Sequence, residues 1–382
     1  MKFAHMADCH LGGWQHSDLN SLNIQSFQKA ISICIKEKAE FVLIAGDLFD
    51  SAYPSIDTLK ETFREFRRLK ESNIPVFIIA GSHDYSMSGK TFLEVLEKSG
   101  FCKNVACFEE KSDKIILHPT IFQNIAIYGY PGKKSGLEID EVERLKLQDS
   151  PGLFKILMLH TTLSSAVQNP KIKSVNDSLL PSVNYLALGH LHIAYSQNGK
   201  VYPGPIFPNN LPELEELQGG SFYMFNNGKI EKKEIKLKNL LVINHETNDT
   251  LKTADELITL LEKESIRDKI IILKLSGIIE QGRTSDINFQ KIASYAKEKG
   301  AYTLLKNTSK LQLSEPELQI DTIDTEDIEL QIINKFKESN KSRFNHLIFS
   351  LIKAMQIEKN EDEKSSVFEE RLLSETRKVI SI

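Results

Sequence analysis

The chain opens with short apolar runs set between stretches of helical spacing. Phe3–Ala7 is a brief apolar run, and between Ser26 and Lys38 the residues Phe27, Ala30, Ile31 and Cys34 recur at helical intervals. Phe41–Ala45 follows with no polar alternation, then Leu59, Phe63, Phe66 and Leu69 mark a helix over Thr58–Lys70, and Val76–Ala80 repeats the apolar run. Continuous apolar runs between amphipathic helices predict strands buried on both faces, in a sheet covered by helices. Ile125–Tyr128, Phe154–Leu159 and Tyr185–Leu188 predict further central strands. From Lys200 the pattern changes to hairpins: Lys200–Tyr202, then Ser221–Phe225 and Lys229–Ile235 joined by an Asn226-Asn227-Gly228 turn.

Beyond Lys238 the alternation restarts. Strands are predicted at Leu240–His245, Ile270–Leu275 and Tyr302–Leu305, and helices at Ala254–Ser265 and Ile287–Lys299, the latter closed by Gly300. Thr253 with Glu256 three residues on has the form of a capping box. From Thr325 strand signals cease. Phe344, Leu347, Ile348, Leu351 and Met355 form one helical stripe, and Phe368, Leu372 and Val379 a second, separated by the charged run Glu358–Lys364. Helices this short do not hold such faces in water alone, so they pack on the body or dock on a partner. Three units are expected: 1–237, 238–324 and a helical tail over 325–382.

The length of 382 residues agrees with two or three domains. With 41% hydrophobic and 26% charged residues the composition is globular. A net charge of −4 excludes a generally cationic nucleic-acid coat, though not a local basic groove. No stretch approaches the roughly 18 apolar residues of a membrane span, and an acidic residue at Asp8 interrupts any signal-peptide core. Cys9, Cys34, Cys102 and Cys107 have no zinc spacing and no dense disulfide framework, which predicts reduced thiols and a cytoplasmic location.

Chemistry gathers directly after the apolar runs. Asp8-Cys9-His10 follows the first, Gly46-Asp47-Leu48-Phe49-Asp50 the second and Gly81-Ser82-His83-Asp84 the third. His160 ends a fourth and Gly189-His190-Leu191-His192 a fifth. Residues beyond the carboxyl ends of strands line the ligand crevice of open α/β sheets. Asp8 with His10, and His190 with His192, stand two apart, so on extended chain each pair faces one way. Carboxylates and neutral imidazoles without cysteine suit hard-to-borderline divalent metals rather than a structural zinc. A lone carboxylate such as Asp47 can bridge two ions, and two metals about 3.5–4 Å apart clamp a phosphoryl group and activate water.

This order of motifs resembles the calcineurin-like metallophosphoesterases. It is closer still to the archaeal nuclease of the DNA double-strand-break repair complex, through Ala7-Asp-Cys-His-Leu-Gly12, Ala45-Gly-Asp-Leu-Phe-Asp50, Gly189-His-Leu-His192 and Tyr202-Pro-Gly-Pro205. The resemblance implies a phosphoesterase β-sandwich flanked by helices, with a small α+β DNA-capping domain and a helical C-terminal tail. It implies a manganese-dependent DNA exonuclease and endonuclease holding two manganese ions per chain, a homodimer, and a tail that docks on the coiled-coil base of an SMC-like ATPase. Carried over by motif, Asp8, His10, Asp47 and His192 match the ligands of one metal, and Asp47, Ser82, His160 and His190 those of the other. His83 matches the catalytic histidine that meets the scissile phosphate.

Two positions depart from that pattern. Ser82 stands where the family usually has Asn, and a hydroxyl is a weaker, shorter ligand. Asp50 stands where relatives often have His, and is expected to accept a hydrogen bond from a metal-binding histidine or to cap its loop. Lys133 and Lys134 form a basic loop able to meet phosphates or to sit in solvent. His16 is expected at the surface, Trp14 in packing, and Phe92, Leu93 and Leu96 either in the core or on the dimer face. A phosphoesterase acting on another substrate, and a scaffold with a weakened site, are the alternatives.

Overall fold

The computed structural model describes residues 1–84, 91–167, 169, 171–313, 333–334, 336–337, 342–360 and 365–380. The predicted apolar runs become the inner strands of two six-stranded sheets. In the first, strands Lys2–Met6, Phe41–Ala45, Val76–Ile79 and Lys103–Asn104 lie parallel, and Gly220–Asn226 and Lys229–Ile235 extend the edge antiparallel. In the second, Ile125–Tyr130, Phe154–His160, Tyr185–Gly189 and Lys200–Pro203 are parallel, with antiparallel edges at Thr120–Phe122 and Ala194–Gln197.

Alternation along each strand separates the layers. Phe3, Phe41, Leu43, Phe77, Ile127, Ile156, Met158 and Phe225 fill the space between the sheets. Phe3 stacks between Phe41 and Phe225 at centroid distances of 4.8 and 4.7 Å. On the outer face of the first sheet, Ala4, Met6, Val42 and Ile44 meet Phe27, Ile31, Phe66 and Leu69 of helices Ser17–Lys36 and Ile56–Glu71. On the outer face of the second, Tyr128, Leu157 and Leu159 meet Ile115, Leu117 and Leu145, which belong to a small sheet of Phe108–Lys111, Lys114–Leu117 and Leu145–Leu147. That sheet was not expected, because its strands are only three or four residues long and each carries at least one charged residue.

Several expectations change. The first helix begins at Ser17, nine residues before its apolar stripe was read, because Leu19 and Leu22 turn toward a different neighbour. Leu93 and Leu96 are buried in the first core, and Phe92 is half-buried against it. The capping box is not formed: the chain is already helical at Lys252, and the Thr253 hydroxyl donates to the Asp249 carbonyl.

The third sheet orders Asn239–Glu246, Lys269–Ile279 and Thr303–Leu313 in parallel. One face, with Ile271, Leu273 and Leu275, is covered by helices Thr253–Glu262 and Phe289–Glu298. The other face, with Ile270 and Ile272, packs on Leu19 and Leu22 of the first helix and Leu214 of helix Leu211–Leu217. The central and last strands run past their predicted ends because their second halves are only partly buried and lack a continuous apolar run.

In the tail, helices span Ile348–Met355 and Ser365–Ile380. No residue of the first is buried; of the two predicted stripes Phe344 and Met355 are exposed, whereas Leu347, Ile348, Leu351, Phe368, Leu372 and Val379 are half-buried, and Phe349, Val367 and Leu373 beside them are exposed. The expected boundary at 324/325 and part of the Glu358–Lys364 run lie outside the described residues. Among the described residues, no helix is long and apolar enough to cross a membrane.

Candidate metal centre

Register places the chemistry at one edge. Met6 pairs with Ile44, Ala45 with Ile79 and His160 with Gly189, so the carboxyl ends of the inner strands finish together. The His160 Nδ1–H donates across to the Ala45 carbonyl at 3.0 Å, which ties the two sheets at that edge. A Cβ on Gly46 would lie 2.2 Å from His160 Nδ1, and one on Gly189 2.1 Å from the Ala45 oxygen. Only glycine lets the strand ends close around this imidazole.

The strand ends are also bent into rare backbone geometry. Asp8, His10, Asp47 and His190 have φ of 51°, 41°, 49° and 95°. Non-glycine residues held there cost of order 1–3 kcal/mol each and persist where surrounding contacts enforce them. Those contacts are present: His190 N–H donates to Asp8 Oδ1 at 2.9 Å, and His83 N–H donates to Asp47 Oδ1 at 2.8 Å.

The side chains meet in three groups, one of them His10, Asp50 and His83. Ligand atoms of Asp8, His10 and His192 lie within 4.8 Å of one another, and so do those of Asp8, Asp47 and His160. The rings of His160 and His190 stand 5.3 Å apart, and those of His10 and His192 5.1 Å. Three imidazoles share one arrangement. His160 gives its Nδ1 proton to the Ala45 carbonyl, His10 to Asp50 Oδ1 at 3.1 Å, and His192 to Glu213 Oε1 at 3.0 Å. Each therefore presents Nε2 as the remaining ring nitrogen, which is how a protein orients metal-binding histidines. Asp8 Oδ2, His10 Nε2 and His160 Nε2 are buried without a hydrogen-bond partner. An ion is one partner that such atoms can take, and this set of carboxylates and imidazoles fits a divalent metal.

Electrostatics agree. Burial pushes Asp47 up, but His160 and His10 overcome it and hold the carboxyl far below the usual range. Burial pushes His160 down, but Asp47 overcomes this and raises it to about 10. His160 Nε2 and Asp47 Oδ2 stand 3.2 Å apart, so each sets the other's charge. Burial, with the His160 charge beside it, lowers His190 to about 4 and keeps it neutral.

His83 stands at the mouth, its side chain 47% exposed and its ring 4.6 Å from that of His10. Its Nδ1–H donates to the Asp50 carbonyl at 2.9 Å, leaving Nε2 as its other ring nitrogen. Asp50 therefore holds two histidines, His10 by its carboxylate and His83 by its backbone. Ser82 Oγ donates to Asp47 Oδ2 at 3.3 Å. Lys133 is drawn away from solvent by Glu141 at 2.6 Å, while Lys134 is exposed. Trp14 packs, its Nε1–H donating to the Pro208 carbonyl at 2.7 Å. His16 is half-buried, 3.5 Å from Thr303.

Two residues were not singled out from sequence. Asp84 is buried and accepts from the N–H groups of Leu48, Phe49 and Gly81 at 3.2, 3.1 and 3.1 Å, joining the Asp47 loop to the His83 loop. Burial and the Asp47 charge push it up to about 6, against the three donors that favour its anion. Its place in the Gly81–Asp84 motif was a signal. Glu213 had only the Asn210-x-x-Glu213 helix-start pattern, which says nothing of His192.

The chain belongs to the calcineurin-like phosphoesterase family, whose model matches residues 1–194. It is 26% identical over 333 residues to the DNA double-strand break repair protein Mre11 of Methanosarcina mazei, covering 83% of this chain and 51% of that protein. It is 26% identical over 345 residues to the protein of the same name from Archaeoglobus fulgidus, covering 78% of this chain and 76% of that one. The uncharacterized metallophosphoesterase YhaO of Bacillus subtilis is 30% identical over 251 residues, 60% of this chain and 59% of that one. The chain spans about half the length of the Methanosarcina relative.

Proposed function

We propose that this protein is a manganese-dependent DNA nuclease, with exonuclease and endonuclease activity, acting at double-strand breaks as a homodimer together with an SMC-like ATPase. The observation that carries the metal reading is the set of three Nε2-presenting imidazoles around Asp8 and Asp47. Asp8, His10, Asp47 and His192 would hold one ion, and Asp47, Ser82, His160 and His190 the other. When bound, such a pair supplies Lewis acidity toward the phosphoryl group and activates water. His83, anchored at Nδ1 and open at the mouth, meets the charge that develops on the phosphate and hands a proton to the leaving oxygen. What supports DNA as the substrate is the naming of the archaeal relatives for break repair and the additional three-stranded unit seated beside the His10 loop.

Purified protein with manganese is expected to cleave linear DNA, and a chelator to abolish this. Hydrolysis of a p-nitrophenyl ester without DNA cleavage would point to another phosphoester. Failure on both would leave a scaffold.

Ser82 spends its hydroxyl proton on Asp47, the carboxylate assigned to bridge the ions. Ser82→Asn is therefore expected to tighten the weaker manganese site in a titration. Equal occupancy in both proteins would mean that Ser82 already serves.

The tail is read as the ATPase-docking element. Burying a large apolar side chain contributes about 1.5–3 kcal/mol, and the tail leaves Phe344, Phe349, Met355, Val367 and Leu373 exposed. Truncation after Thr325 is expected to abolish co-purification with the ATPase and to spare manganese-dependent cleavage of short DNA. Retained association, or unfolding of the truncated protein, would refute the docking role.

A further inference from the structure

His192 lies past the end of strand Tyr185–Gly189, on a segment that no sheet pairing holds before Ala194. What orients its ring is Glu213, whose Oε1 accepts the Nδ1 proton at 3.0 Å. Glu213 is itself pinned. Its Oε2 accepts from the Asn209 N–H at 2.9 Å, its Oε1 also accepts from the Asn210 amide at 2.6 Å, and its own N–H donates to Asn210 Oδ1.

Helix Leu211–Leu217, which carries Glu213, packs between the third sheet and the first helix. Leu214 is buried among Ile270, Ile272, Leu19 and Leu22. The next residue, Glu215, is paired with Lys274 of the central strand Lys269–Ile279 at 2.7 Å. Lys274 stands where the register of that strand with Thr303–Leu313 shifts. Three consecutive side chains of one short helix thus face a metal-binding histidine, the interface between units and an ion pair across that interface.

We propose that Glu213 is a positioning residue for His192, and that the seat of the third-sheet unit on helix Leu211–Leu217 sets this position and with it the affinity of the site for metal. This rests on the reading of His192 as a metal-binding group. An imidazole held by a carboxylate at Nδ1 is fixed in tautomer and ring orientation, and losing such a support costs about 10–100-fold in metal affinity. Shifts along a contiguous contact path alter coupling by roughly 0.5–2 kcal/mol, or about 2–30-fold.

The test is manganese titration of the full chain by calorimetry, with thermal melts to confirm folding. Glu213→Ala is expected to weaken binding by about 10–100-fold. Glu213→Gln, which keeps an amide oxygen at Nδ1, restores most of the loss. Lys274→Glu, which sets two carboxylates against each other, weakens binding by about 2–30-fold, and the charge-swapped Lys274→Glu/Glu215→Lys protein recovers it. Wild-type affinity in Glu213→Ala or in Lys274→Glu, or a Glu213→Gln protein as weak as the alanine variant, would overturn the proposal. If the wild-type protein itself binds no manganese, the metal reading fails instead.

Discussion

A His83→Ala protein is expected to lose roughly 10²–10⁴ in turnover on linear DNA, the range for a positioned acid–base group, while keeping its metal content and DNA affinity. The imidazole is placed for this. Asp50 fixes Nδ1 through its carbonyl at 2.9 Å, the ring stands 4.6 Å from that of His10, and nearly half of the side chain faces solvent. With the side chain nearly half exposed, the loss expected is one of chemistry and not of fold. Steady-state cleavage, manganese titration and DNA binding on one preparation separate these effects. Near-normal cleavage would remove His83 from the reaction, and a parallel loss of metal would make it a ligand.

Asp84→Ala is expected to have the largest effect on stability. The carboxylate takes the N–H groups of Leu48, Phe49 and Gly81, and the residue is 1% exposed. Removing it orphans three buried donors at about 1–3 kcal/mol each, so a loss of about 3 kcal/mol or more is expected, toward the extreme of single substitutions. Asp84→Asn keeps the shape but turns an acceptor into a donor facing an N–H, and should fall nearly as far. Thermal unfolding of both variants is the measurement. Because the same carboxylate joins the loop of Asp47 to that of His83, cleavage should fall in the variants even at temperatures where they remain folded. A melt within a degree or two of the parent would show that water replaces the carboxylate.

A local reading captures whatever depends on neighbours in sequence. The inner strands were legible because a strand buried on both faces needs an unbroken apolar run, and Phe41–Ala45 is found with the expected ends. The acids and histidines were legible because each follows such a run, and strand ends in parallel sheets are where ligands gather. The short, charge-bearing strands Phe108–Lys111 and Lys114–Leu117 were not, since no run distinguishes them from loop.

Partnership across the fold was hidden for a different reason. That His10 meets Asp50 follows loosely from motif spacing, but that His192 meets Glu213 follows from the path of a helix packed by residues some sixty positions later, Ile270 and Ile272. Leu93 and Leu96 have the spacing of either a core or an interface, and only the helix's seat on the first sheet buries them in the core. Periodicity and residue type by themselves determined the inner strands of the two main sheets and the residue types gathered at their carboxyl ends. The tertiary structure alone decided which nitrogen each histidine presents, which carboxylate holds it and which unit holds that carboxylate, because those depend on distances of about 3 Å between groups that share no local pattern.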